Sequence, residues 1–231
     1  NQKGQLGDGT TVDRNESVKV VDSGVVAVTA GGYHSLFIKS DGSLWAMGSN
    51  NFGSLGDGTN IERHSPVKVV NDGVVAVAAG LYFSLFLKED GSVWAMGRNQ
   101  YYNLGDGTNQ HRHSPVKVVD SGVVAVTAGG AHSQIVKTDG SLWSVGANAF
   151  GQLGDGTTSD RNVWTKVLGA GVRDVTAAGP SVFVFADPNK APTDLTLTPG
   201  TILENQPAGT IVGDLNVTDP DAFLGPQSFA Y

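Results

Sequence analysis

The chain has 231 residues, a formal net charge of −7 and no cysteine, and 39% of its residues are hydrophobic. This composition is that of a globular protein, and the lack of cysteine excludes disulfides and thiolate metal sites. An acidic chain of this kind lacks the basic surface that nucleic-acid binding requires.

A strict internal repeat runs through the first four fifths of the chain. The segment Leu-Gly-Asp-Gly-Thr begins at Leu6, Leu55, Leu104 and Leu153, so every step is 49 residues. The tryptophans keep the same step: Trp45, Trp94 and Trp143. A period without a single insertion indicates one structural unit copied in series. We expect these tryptophans to lie at equivalent buried positions in the core of each unit.

Each unit is predicted to contain four short strands. In the copy that begins at Pro66, these are Val67–Val70, Val74–Ala79, Ser84–Lys88 and Val93–Gly97. Asp90-Gly91 separates the last two, and Asp-Gly between apolar runs is a strong hairpin signal. Four strands in a repeat of 40–50 residues are typical of a propeller blade. The predicted fold class is therefore all-β, a partial β-propeller of four-stranded antiparallel blades followed by an incomplete β-sandwich segment.

The pattern changes after residue 186. Pro188 and Asn189 stand where the repeat would place Asp-Gly, and Lys190-Ala191-Pro192 follows. We therefore divide the chain into propeller repeats (1–186), a linker (187–192) and a second segment (193–231). No run of apolar residues reaches the roughly 18 needed to span a membrane.

Several motifs of the repeat recur in the same order: Gly-Gly-Tyr-His-Ser at 31–35, Asp-Gly at 41–42, Leu-Trp-Ala-Met-Gly at 44–48, and Asn-x-x-Gly-x-Leu-Gly at 50–56. Together they resemble the repeat of the regulator of chromosome condensation family, over residues 1 to about 186. Members of that family form seven-bladed rings. Three full repeats with partial ends cannot close such a ring, so we expect either further blades before Asn1 or an open arc.

The second segment contains Glu-Asn at 204–205 and Asp-Pro-Asp at 219–221. These motifs resemble the first half of a bacterial cadherin-like domain. The resemblance implies calcium ligation by Glu204, Asp219 and Asp221, with Asp187 and Asn189 of the linker contributing further oxygens. Calcium prefers six to eight oxygen ligands of this kind. The alternative is that Asp-Pro-Asp is only a turn and that Glu204 is a solvated acid.

Positions that differ between the copies are the candidates for partner binding, because the repeated positions supply the scaffold. We predict a binding surface made of variable aromatic and arginine side chains, which dominate binding energy at interfaces. These residues are Phe52, Tyr82, Arg98, Tyr101 and Phe150. The alternative is that the aromatic rings only fill the space between blades.

The sequence offers no catalytic constellation. His34 and His132 occupy one repeat position, and Phe83 replaces them in the middle copy. A catalytic histidine would not be exchanged for phenylalanine, so both are predicted to be buried and bonded to backbone. His64, His111 and His113 form a weaker alternative as a metal site. The repeated Asp57 and Arg63 are predicted to brace the loop between blades.

The predicted function is a non-enzymatic protein-binding or adhesion module of a bacterial surface or secreted protein. Its partner would be a protein or a cell-surface ligand, and its setting extracellular or at the cell surface. One alternative is a propeller that inhibits or regulates a protein partner, as family members that inhibit β-lactamase do. Guanine-nucleotide exchange on a small GTPase, the activity of the founding family member, is a further alternative that the acidic charge disfavours.

Overall fold

The computed structural model describes residues 1–179, 181–186, 194–198 and 214–218, and the described residues contain strands but no helix. The first blade holds β1 (Val25–Ala30), β2 (His34–Lys39), β3 (Leu44–Gly48) and β4 (Arg63–Val70). The second holds β5 (Val74–Ala79), β6 (Phe83–Lys88), β7 (Val93–Gly97) and β8 (Arg112–Val119). The third holds β9 (Val123–Ala128), β10 (His132–Lys137), β11 (Leu142–Gly146) and β12 (Arg161–Leu168).

Two smaller sheets follow. Strand β13 (Val172–Ala178) pairs with β14 (Ser181–Ala186), and β15 (Asp194–Thr198) pairs with β16 (Asp214–Thr218), both antiparallel. Each full blade is a meander in which sequential strands are neighbours. The prediction of an all-β chain with four-stranded antiparallel blades is confirmed. Among the residues described above, we find no helical segment with the length and apolar character needed to span a bilayer.

The predicted grouping of strands into blades is wrong by one strand. The run 67–70 belongs to β4 and pairs with β3 of the preceding copy, where Leu44 lies opposite Val70. The turn at 71–73 then leads into the next blade, and the Val74 amide donates to the Gly42 carbonyl at 3.0 Å. A period of 49 residues is the same wherever the unit is taken to begin, so the period alone cannot locate the blade boundary.

The Asp-Gly hairpins form as predicted. In the first blade Asp41 Oδ1 accepts hydrogen bonds from the Ser43 amide at 3.0 Å and from its hydroxyl at 2.6 Å. Gly42 has a φ of 74°, which an L-residue adopts only with strain. Trp45 Nε1 donates to the Ser43 hydroxyl at 2.9 Å, so the tryptophan is tied to the same turn.

The hydrophobic core lies between the blades. Leu36, Ile38 and Leu44 of the first blade pack with Val74 and Phe86 of the second. Two further clusters join the second blade to the third and the third to β13. Each blade therefore buries its apolar face against its neighbour.

The outer face of the first blade is exposed. No blade precedes β1 in the part of the chain that the structure describes. Val28 is therefore 75% exposed, and Val25 is 39% exposed where its counterpart Val74 is only 3% exposed.

The three tryptophans occupy equivalent positions as predicted, and Trp94 and Trp143 pack against the core clusters, but none of the three is fully buried. Each is half-buried on the face of its blade. The Trp45 ring stacks on Phe37 with centroids 6.1 Å apart, and the ammonium group of Lys39 lies 4.9 Å from its centroid. Lysine stems can cover apolar surface while keeping the charge in water, which explains why a large ring is tolerated at the surface.

Blade contact restricts one glycine in particular. Gly53 has a φ of 83°, and a Cβ atom there would lie 2.5 Å from the Cα of His113 in the next blade. Gly107 also has a positive φ of 74°, but a Cβ atom there would meet nothing within 4 Å.

We therefore expect Gly53→Ala to lower the free energy of unfolding by about 2 kcal/mol or more, since backbone atoms must shift. Gly107→Ala should cost only about 1 kcal/mol, the cost of the left-handed conformation. Urea denaturation of both variants measures the difference, and equal losses would show that the approach of the two blades is not limiting.

Candidate protein-binding face

The blades have two different ends. Because the strands are antiparallel, the loops after the first and third strands of a blade (31–33 and 49–62 in the first blade) lie at one end. The tight turns, 40–43 and 71–73, lie at the other. We call these ends the long-loop face and the turn face. All five predicted binding residues belong to the long-loop face.

A repeated hydrogen-bond network fixes each long loop. In the second blade, Asp106 Oδ1 accepts from Asn99 Nδ2, from the Thr108 amide and from the Thr108 hydroxyl, each at 2.9 Å. Asp106 Oδ2 accepts from Arg112 Nε at 2.7 Å. The corresponding aspartate–arginine pair recurs in the other three copies, so the predicted pair forms. The loop it braces, however, joins the third and fourth strands of one blade and not two blades, as the prediction had it.

The same hydrogen bonds lower the pKa values of the aspartates in the network. Burial raises the pKa of Asp155, but hydrogen bonds from Thr157 and Arg161 outweigh it, and the pKa falls to about 2. The pKa values of Asp57 and Asp106 are lowered by the same balance. These carboxylates are therefore ionised and held in place at neutral pH.

Four of the predicted residues meet in one cluster with a fourth aromatic ring, that of Tyr33. The Cζ atom of Arg98 lies 5.3 Å from the ring centroid of Phe52, 5.7 Å from that of Tyr82 and 6.0 Å from that of Tyr101. Tyr33 stacks on Tyr82 with centroids 5.5 Å apart. We call these five residues the aromatic–arginine cluster. A guanidinium over the negative face of an aromatic ring is attracted by the ring's quadrupole, which stabilises this arrangement.

An apolar cavity of about 610 Å³ opens beside this cluster, between the second and third blades. Arg98 and Tyr101 line one side, Phe150 lines the other, and Phe83 and His132 lie among the buried lining residues. Phe150 is 83% exposed, so its ring is free to contact a partner. We call this space the interblade cavity.

The structure thus brings Phe52, Tyr82, Arg98 and Tyr101 together and places Phe150 across the interblade cavity. Phe52 and Tyr82 are half-buried and meet edge to face at 5.6 Å, so they also fill space between the first two blades. Phe150 stands at the repeat position of Phe52 but is exposed.

Tyr33 was not among the predicted binding residues, although it shares the repeat position of Tyr82. His111 was predicted only as a possible metal ligand, and its ring lies 5.1 Å from that of Phe52. The repeat position of Tyr33 was the signal that could have found it.

His34 is buried, as predicted, and its ring lies within hydrogen-bond distance of a serine hydroxyl. Its Nε2 lies 2.9 Å from the Ser84 hydroxyl, which itself donates to the Ser54 carbonyl at 2.8 Å. Ser84 thus accepts from His34. Burial lowers the pKa of His34 to about 4, against a smaller opposing effect of a backbone hydrogen bond at Phe83.

His132 is buried in the third blade but has a different environment. Its side chain is 1% exposed, and neither ring nitrogen has a hydrogen-bond partner among the described residues. Val182 stands at the repeat position of Ser84 and carries no hydroxyl. Burial lowers the pKa of His132 to about 4, so the ring is neutral at physiological pH.

The metal-site predictions have different outcomes. Within the described residues, no three histidine or acidic side chains are grouped for metal binding, so the alternative site of His64, His111 and His113 is not assembled. His111 Nδ1 instead accepts from the Asn99 amide at 3.0 Å.

The predicted calcium ligands all lie outside the described residues, and calcium binding stays a prediction. These ligands are Asp187, Asn189, Glu204, Asp219 and Asp221.

Successive four-stranded antiparallel blades with a 49-residue period define a partial β-propeller. The family model described as the regulator of chromosome condensation (RCC1) repeat matches residues 41–87, 90–136 and 139–180. A second model with the same description matches residues 25–54, 74–103 and 123–152. The first model alone covers more than half of the sequence, and the chain belongs to the RCC1 repeat family. Neither model extends into residues 193–231, where the cadherin-like assignment stays a prediction.

Solved structures share the fold. The crystal structure of Prp20p from Saccharomyces cerevisiae, whose reported binding properties concern Gsp1p and histones, is 23% identical with a TM-score of 0.61. That match covers 68% of this chain and 42% of Prp20p. Human WBSCR16 is 20% identical with a TM-score of 0.58, and the match covers 80% of this chain and 65% of that protein.

Yeast RCC1 (Prp20) bound to Kap60 is 23% identical with a TM-score of 0.60, covering 77% of this chain and 46% of that one. The chain therefore spans less than two thirds of each of these structures. A search of curated protein sequences returned no significant match.

Proposed function

We propose that this chain is a non-enzymatic protein-binding module and that its long-loop face receives the partner. The observation that carries the proposal is the aromatic–arginine cluster next to an apolar cavity. Tyrosine and arginine dominate the binding energy of protein interfaces, and such residues gather around desolvated pockets. An exposed phenylalanine at the rim, Phe150, adds apolar area that a partner can cover.

The organisation of the repeat supports this proposal. The aspartate–arginine brace is the same in every copy, whereas Arg98 and Tyr101 occupy positions that vary between copies. A rigid scaffold with variable loops is a common way to build a binding surface. Two of the structures with this fold are described with protein partners, Gsp1p and histones for Prp20p and Kap60 for yeast RCC1.

The buried histidines also favour binding over catalysis. An efficient general base has a pKa near the working pH. The pKa values of His34 and His132 near 4 are far below neutral, so both would be weak bases under physiological conditions.

Photo-crosslinking tests the proposed face. A p-benzoylphenylalanine residue in place of Phe150 should crosslink to a partner protein in extracts of the source organism. The same probe in place of Glu89, an exposed residue of the turn face, is the matched control. Adding Arg98→Ala to the Phe150 probe should reduce the crosslinked yield at limiting partner by about tenfold or more, because hot-spot truncations cost at least that factor. Equal crosslinking from both probes, or crosslinking from Glu89 alone, would contradict the proposal.

For the biological setting, we propose a surface or secreted bacterial protein in which the propeller serves adhesion or recognition. The support is the cadherin-like resemblance of residues 193–231, with calcium bound through Glu204, Asp219 and Asp221 and through Asp187 and Asn189 of the linker. Inhibition or regulation of a protein partner is the alternative within the same protein-binding class. Nucleotide exchange is a weaker alternative, since its support is family membership alone.

A further inference from the structure

His111 ties the end of the second long loop to its beginning. Its Nδ1 accepts a hydrogen bond from the Asn99 amide at 3.0 Å. A main-chain amide can only donate, so the ring in this bond is neutral and carries its proton on Nε2. Asn99 directly follows Arg98, and its side chain donates to Asp106 in the network of the long loop. The bond therefore holds the main chain immediately beside Arg98.

The third blade makes the same bond with a carboxylate. Asp160 stands 49 residues after His111, and its Oδ1 accepts from the Asn148 amide at 2.8 Å. A carboxylate remains an acceptor at any pH above its own pKa, whereas an imidazole loses its acceptor nitrogen when it is protonated. The two loops are therefore closed in the same way but respond differently to acid.

His111 also contacts the aromatic–arginine cluster. Its ring meets the Phe52 ring edge to face, with centroids 5.1 Å apart. The Phe52 ring in turn lies 5.3 Å from the Cζ atom of Arg98. His111 thus reaches Arg98 by two routes, through the adjacent main chain and through the Phe52 ring.

The groups around His111 favour its neutral form. Partial desolvation and the positive charges of Arg98 and His113 lower its pKa from the ordinary value of 6.5. The carboxylates of the two long loops are paired with other cations, Asp106 with Arg112, Asp57 with Arg63 and Glu62 with Lys3. His111 is therefore neutral at pH 7 and is protonated in a range below pH 6.5.

We propose that His111 is a positioning residue of the long-loop face and that its protonation releases the main chain beside Arg98. Neutral His111 holds the aromatic–arginine cluster in its binding geometry. In the protonated ring Nδ1 becomes a donor that faces the Asn99 amide, so the hydrogen bond is lost, and a second positive charge lies near Arg98. Partner binding should then weaken in acid. That last step rests on the proposed protein-binding function, whereas the release of Asn99 does not.

Hydrogen exchange at the Asn99 amide tests the release without a partner. Between pH 7.5 and 5, after correction for the intrinsic exchange rate, protection at Asn99 should fall about fivefold more than at Asn148, the value of one hydrogen bond. The ring ¹⁵N resonances of His111 should change over the same pH range from those of the Nε2–H form to those of the imidazolium.

The matched variant is His111→Asp, which places in the second blade the residue that the third blade has as Asp160. Because a carboxylate is already accommodated at this repeat position, the variant is expected to fold. Protection at Asn99 should then follow that at Asn148 at every pH. The buried His34 and His132 are unchanged, so any acid destabilisation that they cause is common to both proteins.

Three results of these measurements would overturn the proposal. One is a His111 ring that stays neutral down to pH 5. Another is a ring that becomes protonated without the additional loss of protection at Asn99. The third is the same additional loss in His111→Asp, which would assign the acid response to another group.

The p-benzoylphenylalanine probe at position 150 tests the consequence for binding. At limiting partner, the crosslinked yield should fall between pH 7.5 and 5 about fivefold more in the unmodified loop than in His111→Asp. Equal changes in both proteins, with Asn99 released in acid, would overturn the positioning role. A probe that crosslinks to no protein at either pH would contradict the proposed function, while the exchange measurement would still decide whether His111 releases Asn99.

Discussion

Lowering the pH from 7 to 5 is expected to reduce the free energy of unfolding by about 2 kcal/mol for each of His34 and His132. Both rings are buried, and burial lowers both pKa values to about 4. An unfolded histidine titrates near 6.5. Between pH 6.5 and 4 the unfolded state therefore takes up protons that the native state does not. The stability that the two neutral histidines contribute is present above pH 6.5 and is lost as the pH falls towards 4.

Equilibrium urea denaturation at a series of pH values measures this effect. The double variant His34→Phe with His132→Phe should show a much flatter dependence between pH 7 and 5, because Phe83 shows that the repeat position accepts an uncharged ring. The serine beside His34 keeps its own acceptor, since the Ser84 hydroxyl donates to the Ser54 carbonyl. Braced carboxylates such as Asp155, with a pKa of about 2, titrate at lower pH and do not interfere. The same slope in the variant and the unmodified chain would mean that other groups carry the acid sensitivity.

The fold could be predicted because its unit is repeated. The Asp-Gly hairpin at Asp41-Gly42 is a local signal, and its recurrence in the next two blades with a constant step indicates a blade. The boundary between blades is not a local signal. Strand β4 pairs with β3 across the long loop 49–62, although only the short turn 71–73 separates β4 from β5, and the hydrogen bonds of the sheet are needed to show this.

The candidate site could be predicted only in part. Variation between copies identified Arg98 and Tyr101, but it could not show that Phe52 of the preceding loop approaches the same guanidinium. The sequence also differs at the position that pairs with His34 in the first two blades: Val182 stands where the repeat has Ser84. Comparing repeat positions across neighbouring blades, and not only within one blade, would have revealed that difference.

The second large effect is expected at the brace of the second long loop. Asp106→Ala should lower the free energy of unfolding by about 3 kcal/mol, because removing one partner of a buried, hydrogen-bonded pair leaves the others unpaired. The Asp106 side chain is 8% exposed, and its carboxylate accepts from Asn99, Thr108 and Arg112. Arg112 is 33% exposed and can be partly rehydrated, which keeps the loss at the lower end of the range for buried pairs.

Two companion variants make this prediction specific. Asp120→Ala removes an exposed aspartate between β8 and β9 and should change the free energy of unfolding by less than about 0.5 kcal/mol. Asp106→Asn keeps one acceptor for the Thr108 amide but loses the charge that faces Arg112, so its loss should be intermediate. Since the braced loop carries Tyr101 and is anchored next to Arg98, hydrogen exchange at the Thr108 and Leu104 amides should also accelerate in Asp106→Ala. A loss no larger than that of Asp120→Ala, with unchanged exchange, would show that the aspartate brace does not hold the binding loop.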